Sequence, residues 1–189
     1  MRRAVAATML ALVPVATLAA PATVPQRSAG NRPSSTAWYG QIDASCGPGT
    51  LAAVYGDLNA LDAADSSGDT AAVVANARSL VDTTRACLAV RPLADPVQVY
   101  LRSQMLTALL FRLADDDDPH ATKPTASKIA HVASEICSSP NLQRESDPYR
   151  TARKMLHGVL EKLPPVQASA GASHALSPKL RECARRLGV

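Results

Sequence analysis

From residue 51 onward, apolar side chains recur every three to four positions along most of the chain. Leu51, Val54, Leu58 and Leu61 form one stripe, Val73, Ala77, Leu80, Thr84 and Cys87 a second, and Ile129, Ala133 and Ile136 a shorter one. Tyr149, Ala152, Leu156, Val159 and Leu163 make another, and Leu176, Leu180, Cys183 and Leu187 the last. A stripe of that period is the face a helix turns toward a core. The segment from Val97 to Ala114 is different, because Val99, Tyr100, Leu101, Met105, Leu106 and their neighbours leave almost no polar face. A helix apolar on most sides belongs in the middle of a bundle. The pattern therefore predicts an all-α fold of six helices, with the third one buried.

Start signals agree with these stripes. Asp95-Pro96, Asp147-Pro148 and Ser177-Pro178 each place a capping side chain ahead of a proline suited to the first helical turn. Gln98 stands at capping-box distance from Asp95, and Asp69 follows Ser66-Ser67-Gly68 as another helix start. A shift of 50 residues superposes Cys87 on Cys137, Met105 on Met155 and Leu106 on Leu156, so two helical-hairpin repeats around the buried third helix are one reading.

Composition narrows the class. Among 189 residues there are 35 alanines, three isoleucines and six aromatic residues, which argues against a sheet protein. The N-terminus reads as a separate element. Met1-Arg2-Arg3, an apolar run from Ala4 to Leu18 and the small residues of Ala20-Pro21-Ala22 make residues 1–22 a secretory signal peptide. That run falls short of the ~20 apolar residues a spanning helix needs. Residues 23–36 are polar, carry Pro25 and Pro33, and read as a flexible linker. Residues 37–189 are then a single helical domain, expected to be secreted or periplasmic without a transmembrane anchor in the mature chain.

Cys46, Cys87, Cys137 and Cys183 are an even set in an exported chain, which predicts two disulfides. Their wide spacing and the scattered His120, His131, His157 and His174 do not suit a metal site. If the helices of residues 51–61 and 73–87 form an antiparallel hairpin, Cys46 and Cys87 lie at the same end. An up-down-up path through the last three helices likewise brings Cys137 to Cys183.

Charge is uneven. Residues 23–118 carry 7 basic and 11 acidic residues, and residues 119–189 carry 11 basic and 5 acidic. Arg150, Arg153, Lys154 and His157 share one helix face and are the candidate partner-binding residues. Nucleic acid is a poor fit for that face, since aromatic residues do not interleave with the cations. Asp115 to Asp118 with His120 lacks the alternating ligand spacing of a calcium loop. No catalytic motif is present, and neither a metal nor a cofactor is expected. The chain thus reads as a non-enzymatic exported protein that binds another macromolecule, a protein or an anionic envelope polymer, in an inhibitor, immunity-type or adaptor role. The alternative is a carrier of a small apolar ligand between the Leu- and Met-rich helices around Met105 and Met155. Oligomeric state is left open.

Overall fold

In a computed structural model of the chain, the described residues are 38–90, 93–115, 119–169 and 176–188. They lie within the compact unit Ser35–Val189. The expected signal peptide, the linker and the loop from Asp116 to Asp118 fall outside them, as do the side chains of Asp115 and His120. The described residues form seven helices and no strand: α1 (Tyr39–Cys46), α2 (Thr50–Ser67), α3 (Thr70–Leu88), α4 (Asp95–Asp115), α5 (Pro119–Cys137), α6 (Asp147–Ser169) and α7 (Pro178–Leu187).

The sequence pattern predicts six of these; α1 corrects the count. Its eight residues bring one fully buried apolar side chain, Ile42, which is too little to register as a period. It does more for its neighbour than for itself. Asp43 Oδ1 accepts from the Leu51 backbone N–H at 2.8 Å, and the Thr50 hydroxyl donates to the Gly47 carbonyl at 2.8 Å. The carboxylate of one helix thereby satisfies an orphan donor at the start of the next. The turn between them needs Gly49 at φ 84°, a left-handed conformation that a side chain would strain.

The other termini follow local chemistry. Gly68 ends α2 at φ 72°, and the Asp69 side chain accepts from the Ala72 N–H at 3.0 Å to open α3. The Ser177 hydroxyl does the same for Leu180 in α7. Two predicted caps are not used in this way. The Gln98 N–H bonds to the Ala94 carbonyl at 3.1 Å, and its side-chain amide donates to the Leu93 carbonyl at 2.9 Å, so Asp95 forms no capping box. At α6 the Arg150 N–H bonds to the Ser146 carbonyl, while the Asp147 carboxylate pairs with the Arg150 side chain. In both cases a stronger charged or multiple partner claims the aspartate.

The helix expected in the middle, α4, packs against α1, α3, α5 and α6. Leu101, Leu106 and Leu109 on it are essentially inaccessible, as are Leu80 of α3, Ile136 of α5 and Leu156 of α6. Each such side chain contributes on the order of 2 kcal/mol of burial free energy. Disulfides join Cys46 to Cys87 across the α2–α3 hairpin and Cys137 to Cys183 between α5 and α7, with Cα separations of 5.0 and 5.8 Å. Cys87 and Cys137, which a 50-residue shift would equate, pair in opposite directions along the chain. Among the described residues no helix is long and apolar enough to cross a membrane.

Candidate functional site

Arg150, Arg153, Lys154 and His157 all lie on α6, and most of their charge is engaged within the chain. Arg150 pairs with Asp147, and His157 Nδ1 lies 3.6 Å from Glu161 Oε1. Arg153 is 18% exposed. Its Nη1 donates to the Leu142 and Arg144 carbonyls at 2.7 Å each, and its Nη2 to Glu145 Oε1 at 2.8 Å. It therefore straps the loop between α5 and α6 onto α6. Lys154 stands exposed, without a partner among the described residues. On α7, Arg185 pairs with Glu182, and Arg186 donates to the Cys137 carbonyl at 3.0 Å.

The same corner holds a polar hub. Asp95 Oδ2 accepts from the Ser139 hydroxyl at 2.9 Å, the Asn141 amide at 3.0 Å and the Tyr149 hydroxyl at 2.7 Å. One carboxylate thus ties the start of α4 to the α5–α6 loop and to α6. Burial, reinforced by the bond to Asp95, holds the Tyr149 hydroxyl well above the usual phenol range.

A second cluster is aromatic. Trp38 stacks on Tyr39 with ring centroids 3.8 Å apart, and Tyr100 meets them at 5.0 and 5.8 Å. Trp38 and Tyr100 are buried, so the pair after the linker packs the chain onto the bundle, and the Tyr55 ring, 43% exposed, borders the cluster. Among the described residues the Trp38 indole N–H and the Tyr100 hydroxyl find no hydrogen-bond partner of ordinary geometry. Burial first, and then the nearby Tyr55 hydroxyl, pushes Tyr39 up to about 12.

The open concavity lies elsewhere, over α4 between α3 and α5. It has a volume of about 440 Å³, within the usual range of small-molecule sites. Val81, Leu88, Met105, Leu109 and Val132 supply its apolar surface, while Arg85, Arg102, Lys128, His131 and Glu135 supply its polar one. It touches Met105 but not Met155, whose sulfur instead lies 3.8 Å from the Thr107 hydroxyl. A smaller, polar concavity of about 250 Å³ adjoins it and shares Arg102 and Glu135, with Asp95, Gln98, Ser138 and Ser139 around it.

Arg102 is the hinge of this arrangement. Its Nη1 donates to Gln98 Oε1 and its Nη2 to Glu135 Oε2, both at 2.8 Å. Pattern reading passed over it, yet a signal exists: it is the one charged residue between Pro96 and Phe111 on an otherwise apolar helix. A cation there needs partners or a ligand. Among the described residues no group of three His, Cys, Asp or Glu side chains is placed to hold a metal ion. Comparison with known proteins gives no match: no family model fits the chain, and neither a curated protein nor a solved structure is significantly similar to it.

Proposed function

We propose that this is an exported binding protein that holds a small, largely apolar ligand in the groove between α3, α4 and α5. The observation that carries the reading is the combination of a 440 Å³ apolar-floored groove with a positioned guanidinium in its wall. Export, inferred from the N-terminal pattern, fits two disulfides. The ligand space differs from the one expected between Met105 and Met155. The rival reading, a macromolecule bound by the basic face of α6, has less to rest on, because Arg150 and Arg153 already hold partners in the chain.

The test uses Ser127, an exposed residue of the groove wall. Titration with 1-dodecanol, followed calorimetrically, should show saturable binding at one site. Ser127→Trp should abolish it by filling the groove, at unchanged melting temperature. Absence of binding by any alkyl probe overturns the proposal, as does binding that Ser127→Trp leaves intact.

A further inference from the structure

Resting on that reading of the groove, we infer that its occupant is a single-chain amphiphile with an anionic oxygen-acid head, the head bound at Arg102 and the alkyl tail lying over Met105 and Leu109.

The tail follows from the shape and from the walls. From Arg102 to Leu109 the α4 axis advances about 10 Å, so 440 Å³ corresponds to a cross-section on the order of 40 Å². A helix 10–12 Å across occupies roughly twice that area or more, so a partner helix would seat only part of one face in it. An extended peptide is slimmer, but it would bring backbone N–H and C=O groups against Val81, Met105, Leu109 and Val132. The walls are helices, whose own backbone groups are already paired, so they offer no sheet edge to satisfy such a strand. An alkyl chain has no polar groups to satisfy.

The head follows from charge. A guanidinium has five N–H donors, and Arg102 uses two of them on Gln98 and Glu135. Those two contacts fix its plane, and the side chain remains 21% exposed in the wall shared by both concavities. Across from it stands Arg85, exposed and only loosely paired with Asp82 at 3.6 Å. Together the two concavities carry Arg85, Arg102 and Lys128 against Glu135 and Asp95, one positive charge in excess, which favours an anionic head. The adjoining polar concavity, edged by Ser138 and Ser139 and by an Asp95 carboxylate already engaged by Ser139, Asn141 and Tyr149, leaves room for the water around the head. The Arg102–Glu135 contact sets the register of α4 on α5. It places Lys128, seven residues before Glu135, about 10 Å away beside the tail, where its aliphatic stem can cover apolar surface.

The probes are dodecanoate, dodecyl phosphate and 1-dodecanol, each titrated into the full chain below micelle-forming concentrations. At least one anionic probe should bind about tenfold tighter than dodecanol, as expected for charge-assisted hydrogen bonds. Preference for dodecanoate points to free fatty acids, and preference for dodecyl phosphate to phosphorylated lipids. Arg102→Gln should lower the affinity for the anions about tenfold more than that for dodecanol, and so erase the preference. Should that variant fold poorly, Arg85→Gln, an exposed change, decides the matter by lowering the preference about threefold. Equal binding of dodecanol and both anions overturns the inference while the groove reading stands. Failure of all three probes to bind removes the groove reading itself.

Discussion

The α5–α6 corner and the groove beside α4 each contain an arginine about one-fifth exposed, and the two are used in opposite ways. Arg153 gives its donors to two backbone carbonyls and a carboxylate of the loop it covers. Those carbonyls are fixed in the chain, so the guanidinium completes the fold there and has little left for a partner. Arg102 is held by two side chains, Gln98 and Glu135, and faces open space on both sides. Side-chain partners position a cation without exhausting it. Equal burial therefore does not mean equal role; what matters is whether the partners belong to a loop that has no other donor.

The sharpest way to break this contrast is to loosen the corner itself. Replacing Cys137 and Cys183 by Ala removes a link across 46 residues and should lower unfolding free energy by roughly 3 to 4 kcal/mol, read from urea denaturation. A loss under about 1 kcal/mol would show that the corner holds without its staple. Asp95→Ala comes next, at about 3 kcal/mol, because three donors lose one acceptor together.

The arginines themselves give the direct comparison. Arg153→Met should cost about 2 kcal/mol and Arg102→Met under about 1, since two backbone carbonyls are orphaned in the first case only. Equal losses would erase the distinction drawn between them.

Alkaline pH tests the corner and the aromatic cluster together. Burial raises Tyr149 and Tyr39 above the ordinary phenol value of about 10, Tyr39 to about 12. The folded state then retains protons that the unfolded chain releases. Stability from these groups is complete below about pH 10 and is lost as pH rises toward the folded values. Urea midpoints between pH 8 and 12 should fall above 10, and Tyr149→Phe should flatten that fall. Smallest of all, Lys154→Glu should stay within about 0.5 kcal/mol, because the side chain is exposed and unpaired among the described residues.

Much of the fold is legible in the chain because helix formation and capping act over a few residues. The stripe Val73, Ala77, Leu80, Thr84 and Cys87 is the buried face of α3, and Ser177 and Asp69 cap the helices they precede. Cysteines at the ends of adjacent helices follow from the same lengths. Asp95 shows where such reading stops: it has the spacing of a cap, yet Ser139, Asn141 and Tyr149, more than 40 residues away, converge on it. Arg153 looks like a free cation on a helix face until the carbonyls of Leu142 and Arg144 arrive beside it.

By itself, then, the sequence determined an all-helical chain, several of its helix starts and the apolar stripes of its longer helices, all properties of residues close together along the backbone. Only the tertiary structure decided which polar side chains are consumed by the fold and where α3 and α5 stand apart over α4. Both depend on how helices diverge in space, and local periodicity carries no record of that divergence.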